Sequence, residues 1–283
     1  MNTVRIIPRL DIKGPNVVKG IHLEGLRVLG KPSQFAQYYY EQGADELMFM
    51  DVVASLYDRN SLAEIISETA KRMFIPLTVG GGLRTIEDIS SVLRAGADKV
   101  SLNTAAIKNP NFVKEAALKF GSSTIVVSIE AIKQPNGEYL AFTDNGREYT
   151  GIEVVSWAQK VQELGAGEIV VTSVDHEGTG LGFDEQLIEM IESNTSIPIV
   201  AHGGAGKVED VCSVIKKTAV DGVCIASMLH YDFVKKSKVE FNPDVEGNRD
   251  FLQSGQAVKK VQTVDIVELK HYLRENNINV REI

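Results

Sequence analysis

Ile75-Pro76-Leu77-Thr78-Val79-Gly80-Gly81-Gly82 is answered further along the chain by Ile197-Pro198-Ile199-Val200-Ala201-His202-Gly203-Gly204, at an offset of 122 residues from Gly81 to Gly203. Glu41-Gln42-Gly43-Ala44-Asp45-Glu46 returns as Glu163-Leu164-Gly165-Ala166-Gly167-Glu168, with the same offset from Gly43 to Gly165. A constant offset across two separate motifs marks one structural unit used twice. In each copy a Gly pair ends an apolar strand, where freed backbone N–H groups can wrap a phosphate. Two such sites imply a substrate with a phosphate at each end.

Around these motifs, short β-rich apolar runs at 5–11, 46–52, 76–80, 99–103, 124–130, 168–173, 198–202 and 222–226 alternate with amphipathic segments. The helical patterns lie at 32–42, 61–73, 85–95, 109–120, 151–164 and 207–217. Pro32 suits a first helical turn, and Gly43, Gly96 and Gly165 suit helix ends. Eight strands alternating with helices in two similar halves predict an α/β fold, a closed (β/α)₈ TIM barrel forming a single domain over 1–283. An open doubly wound sheet gives no reason for a duplication of this period. Two segments break the rhythm. Residues 134–150 contain Pro135-Asn136-Gly137 and Asp144-Asn145-Gly146 and are expected as a hairpin after the fifth strand. Residues 231–262 form a long polar insert before a last helix at 265–276. Both follow strand C-termini, so both overhang the catalytic face of a barrel.

The totals exclude several classes of function. A chain of 283 residues with 43% hydrophobic content can bury a large core, and its net charge of −8 argues against nucleic acid as a partner. The N-terminal residues run straight into a strand, with no signal peptide and no long apolar span. A soluble cytoplasmic protein without a membrane partner is expected. Cys212 and Cys224 are the only cysteines and lack zinc spacing, so they are expected as buried reduced thiols. Neither a metal nor a cofactor is expected.

Asp11 ends the first strand and Glu130 ends the fifth, matching positions in the two halves. A barrel sets such carboxylates facing each other across its mouth, an arrangement suited to general acid–base catalysis. The alternative is a pair of hydrogen-bonded carboxylates at strand ends. Lys19, on the loop after the first strand, can neutralise a phosphate or an acid. Gly81 and Gly82 with Asn103 and Thr104 form one candidate phosphate cradle, and Gly203 and Gly204 with Ser227 form the other. Thr172, Asp175 and Gly178, on and after the strand 168–173, complete the candidate substrate-binding set. Arg5, Glu46, Lys99 and Glu168 open strands at the opposite end, where a ring of ion pairs closes the barrel floor.

With these residues assembled, the chain resembles the HisF family, the cyclase subunits of imidazole glycerol phosphate synthase. The likeness rests on Val17-Val18-Lys19-Gly20, the 74–82 stretch, Ala97-Asp98-Lys99-Val100-Ser101, Asn103-Thr104-Ala105-Ala106 and Gly203-Gly204-Ala205-Gly206-Lys207. It runs from Arg5 to about His230 and resumes in the last helix. The resemblance implies a heterodimer with a HisH-like glutaminase at the bottom face. Ammonia from glutamine would pass up the barrel to the bisphosphorylated substrate PRFAR, giving imidazole glycerol phosphate and AICAR. It turns the ring of Arg5, Glu46, Lys99 and Glu168 from a mere floor into an ammonia gate, and sets Asp98 at the partner interface.

Departures from the family pattern gather on the catalytic face. Its two catalytic acids are aspartates, matching Asp11 and Glu130 here; the extra methylene moves the carboxylate by roughly an ångström, a cost on the order of 10²-fold where positioning is strict. Asp175-His176-Glu177-Gly178-Thr179 stands for the family's Asp-Arg-Asp-Gly-Thr, His202 for a serine, and Arg9 for a cysteine. Loop one has lost the acids of its usual pattern, and Asp51-Val52-Val53-Ala54-Ser55 stands for Asp-Ile-Thr-Ala-Ser. The insert is foreign to ordinary members. Such changes resemble a HisF-like branch that delivers ammonia for amidino modification of a surface-polysaccharide sugar. A third possibility, of another class, is a barrel that only docks and activates a glutaminase.

Overall fold

The computed structural model describes residues 3–54, 62–237 and 260–283. The first strand, β1 (Arg5–Lys13), leads into an antiparallel hairpin of β2 (Asn16–Ile21) and β3 (Glu24–Gly30). There follow β4 (Leu47–Asp51), β5 (Leu77–Gly80), β6 (Lys99–Leu102) and β7 (Ile125–Lys133). A second hairpin, β8 (Tyr139–Thr143) and β9 (Glu148–Glu153), continues from β7 before β10 (Glu168–Ser173), β11 (Ile199–His202) and β12 (Gly222–Ile225). Eight of these strands pair in parallel in the order β1-β4-β5-β6-β7-β10-β11-β12, and β12 pairs back to β1. The circle is closed, so the predicted TIM barrel is the observed fold. In this order β1 and β7 stand four strands apart in either direction, on opposite walls.

Strand alternation divides the apolar residues between two cores. On β1, Ile6, Leu10 and Ile12 face the helices and join the large shell between barrel and helices. Ile7 faces inward, where it packs with Met48, Val126, Val170, Val200 and Cys224 across the barrel interior. Arg5, Arg9 and Asp11 share the inward register of Ile7, below and above that apolar layer. Local signals agree with these elements. Pro32 opens the helix Pro32–Glu41, and a reciprocal Thr85–Asp88 capping box starts Ile86–Ala95.

Three elements lie outside the expected pattern, and one boundary is corrected. The β2–β3 hairpin was not expected, nor were the helices Glu185–Glu192 and Ser227–Lys236. The insert does not begin at Tyr231: residues through Lys236 continue the helix from Ser227, because Met228, Leu229 and Phe233 recur at helical spacing on its buried face. Most of the remaining insert, 238–259, lies outside the described residues. The expected hairpin at 134–150 is present as the end of β7 with β8 and β9.

Candidate active site

The barrel floor carries four alternating charges. Arg5 Nη1 donates to Glu46 Oε2 at 2.9 Å and to Glu168 Oε2 at 3.2 Å. Lys99 Nζ donates to the same two oxygens at 3.0 Å each. Thr78 Oγ1 also donates to Glu46 Oε1 at 2.5 Å. Two cations and two anions thus close a ring, each acid shared between both bases. On the same face Asp98 is exposed, and its Oδ2 accepts the Leu77 N–H at 2.9 Å. Beside it lies a surface depression of about 380 Å³ lined by Phe74, Ile75, Pro76 and Leu77, with Phe74 84% exposed.

Above the apolar layer the interior turns polar. Arg9 is buried and donates from Nε to Asp11 Oδ1 at 2.9 Å. Its Nη1 reaches across to His202 Nδ1 at 3.1 Å and to Thr172 Oγ1 at 3.5 Å. Burial, together with the Arg9 and Lys19 cations, holds the His202 pKa well below its ordinary value. His202 is therefore a neutral imidazole, and its Nδ1 can accept from Arg9. On the opposite wall Glu130 Oε2 accepts the Gly146 N–H at 2.9 Å. Desolvation raises the Glu130 carboxyl to about 7, against the Arg9 charge and the hydrogen bonds of Gly146 and Asn103. An acid poised near neutrality can both give and take a proton.

A cavity of about 250 Å³ opens at this level, lined by Arg9, Gly81, Gly82, Asn103, Thr104 and Glu130 among others. Gly81 has φ +97°, and a Cβ there would lie 2.2 Å from the Asp51 carbonyl oxygen. Only glycine brings the backbone this close, and Gly81 does so at the cavity wall. The second cradle is nearly shut. Lys19, Gly178, His202, Gly203, Gly204 and Ser227 surround only about 20 Å³. Lys19 Nζ is held by Glu177 Oε1, while Glu177 Oε2 accepts the Leu23 N–H at 3.0 Å, so one buried carboxylate pins the β2–β3 hairpin over this side of the mouth.

A family model described as histidine biosynthesis protein matches residues 5–235. An imidazole glycerol phosphate synthase subunit HisF from Legionella pneumophila is 56% identical over 210 residues, which is 74% of this chain and 99% of the relative. This chain belongs to the HisF family. Another HisF subunit, from an Exiguobacterium species, is 49% identical over 226 residues, 80% of this chain and 88% of its own length. One from Natranaerobius thermophilus is 39% identical over 277 residues, 98% of each chain. Membership makes the chain an enzyme of the lyase type.

Within this HisF barrel the predicted site residues divide into groups. Gly81, Gly82, Asn103, Thr104 and Glu130 share the wide cavity, and Lys19, Gly178, Gly203, Gly204 and Ser227 share the tight one. Asp11 lines neither; it meets the wide cavity through Arg9. Thr172 sits in the interior beside Arg9 and His202, and Asp175 is exposed, its Oδ2 accepting the Lys133 N–H at 2.8 Å. Sequence reasoning noted Glu177 only as a departure from the family pattern, and Asn145 and Gly146 only as hairpin residues, and placed none of them in the site. Asn145 lines the wide cavity and Gly146 holds Glu130. The Asp144-Asn145-Gly146 turn, between β8 and β9 and so beside the strand that carries Glu130, was the available signal. Among the described residues no helix is long and apolar enough to cross a membrane.

Proposed function

We propose that the barrel is the cyclase subunit of an imidazole glycerol phosphate synthase, adding ammonia to PRFAR and releasing imidazole glycerol phosphate and AICAR. The observation that carries this is the wide cavity at the mouth. It joins a glycine cradle for one phosphate to Glu130, an acid poised near neutrality, with Asp11 on the opposite wall. Asp11 takes a proton from the attacking nitrogen and Glu130 gives one to the departing oxygen, and the glycine cradles hold the two phosphates. Ammonia comes from a HisH-like glutaminase docked on the strand N-terminal face. The exposed Phe74 beside Asp98 and the neighbouring depression support a protein partner there, and the four-charge ring supports a controlled entrance.

The test is turnover of PRFAR with an ammonium salt, followed by loss of PRFAR absorbance. Activity abolished by Asp11→Asn is expected, and it also excludes a barrel that only docks its partner. Lys99→Ala is expected to lose glutamine-dependent turnover and keep ammonium-dependent turnover. Absence of turnover in the wild type, unrescued by Glu130→Asp, overturns the assignment. A second function, ammonia delivery to a sugar-linked acceptor for amidino modification, is favoured by the nearly closed second cradle, which is poorly shaped for a second phosphate.

A further inference from the structure

The floor of the wide cavity holds more polar groups than the protein itself satisfies. Arg9 is only 2% exposed and lines the cavity with Ser101, Asn103 and Glu130. Its bonds to Asp11, Thr172 and His202 use Nε and Nη1, and Nη2 makes none to a described residue. The buried Ser101 hydroxyl and the Asn103 Oδ1 have no hydrogen-bond partner either. A buried polar group left unpaired costs about 1–3 kcal/mol, and more when charged. These two groups and the Arg9 Nη2 line one cavity together with Met50 and Leu102, and form a preorganised site in a low-dielectric setting. A guanidinium held by Asp11 through Nε and by His202 through Nη1 keeps Nη2, which lies between them, as a donor for oxygen.

We propose that Arg9 and Ser101 form an oxyanion subsite, which receives the oxygen of the acceptor carbonyl to which nitrogen is added. The acceptor class is a phosphorylated compound with a ketone oxygen at its reacting carbon. This rests on the assignment that ammonia adds to a carbonyl. In the step, the ammonia lone pair forms the C–N bond and the C=O π pair moves onto the oxygen facing Arg9. One N–H proton is transferred to that oxygen. Asp11 then takes a second N–H proton while the Glu130 carboxyl gives one to the oxygen, which leaves as water with the C=N bond formed. Ammonia enters, water leaves, and the proton returns from Asp11 to Glu130.

A matched pair of probes tests the subsite: 5-phosphoribonate, which carries a carboxylate, and ribitol 5-phosphate, which does not. Calorimetry on the wild type is expected to show the acid bound at least about 10-fold more tightly, the range of a charge-assisted hydrogen bond. Arg9→Met and Ser101→Ala are expected to cut that preference to below about 3-fold while each still binds ribitol 5-phosphate. Ser101→Ala removes a single oxygen, so it stands if Arg9→Met does not fold. With PRFAR and ammonium, Ser101→Ala is expected to lower kcat about 10-fold with KM within about 3-fold. Equal affinity of the two probes in the wild type overturns the subsite, as does a preference surviving in both variants. Acid preference without PRFAR turnover upholds the subsite and overturns the cyclase assignment instead.

Discussion

Glu130 is stored in the fold as an acid that resists ionisation, and stability must record this. Its carboxyl is held up to about 7 by burial, against an ordinary 4.5. Below pH 4.5 both folded and unfolded chains keep the proton and no penalty arises. Between 4.5 and 7 the unfolded chain releases a proton that the folded one retains, so stability falls as pH rises and levels off above 7. Glu130→Gln is therefore expected to be more stable than wild type by about 3 kcal/mol at pH 8 and equal to it near pH 4, by urea unfolding. Equal stability at both pH values would show that Glu130 ionises freely. Asp11 and Glu130 were legible because each is an acid delivered by an apolar strand. What surrounds them was not. The reach of Arg9 from β1 to Thr172 and His202 spans 163 and 193 residues of sequence and exists only because the barrel closes.

At the scale of elements, the two mouth hairpins contrast in how they were encoded. The β8–β9 turn carries Asp144-Asn145-Gly146, whose residues accept positive φ and announce a hairpin. The β2–β3 turn instead forces His22 and Leu23 to φ of 52° and 60°, positions that sequence patterns do not assign to such residues. Its support comes from far away, through Glu177 and the close approach of Gly178. A Cβ on Gly178, which has φ +72°, would lie 2.7 Å from the Gly20 carbonyl oxygen and 2.9 Å from the Ile21 Cα. Gly178→Ala is expected to push the hairpin outward at a cost of about 1–3 kcal/mol. Faster limited proteolysis at residues 20–25 would report it, and an unchanged cleavage rate would mean that the hairpin is held by other contacts.

For the molecule as a whole, the repeated motifs sufficed to read eight strands and a closed barrel, because a half-barrel buries its edges only against a second half. The clamp that ties the chain's end to its beginning left no such signature. Lys270, fully buried in the last helix, donates to Asp45 Oδ1 at 2.7 Å and to the Gly43 carbonyl at 2.8 Å, and Arg281 joins Asp45 at 2.8 Å. Asp45 Oδ2 in turn accepts the Ile6 N–H at 2.8 Å, at the start of β1. Asp45→Ala leaves Lys270 buried without its counter-ion, and a loss of about 3–5 kcal/mol in urea unfolding is expected. A loss below about 1 kcal/mol would mean that the lysine finds another partner. The unequal cradles, finally, impose an order in time. About 20 Å³ is room for roughly one water molecule, not for a phosphate group. A substrate with two phosphates must seat its first end in the wide cavity and wait there until Lys19 and Glu177 part. In stopped-flow experiments the observed association rate is expected to reach a plateau with rising substrate concentration, set by hairpin opening rather than by encounter. Gly178→Ala should raise that plateau, and a strictly linear dependence in the wild type would show that the mouth stands open in solution.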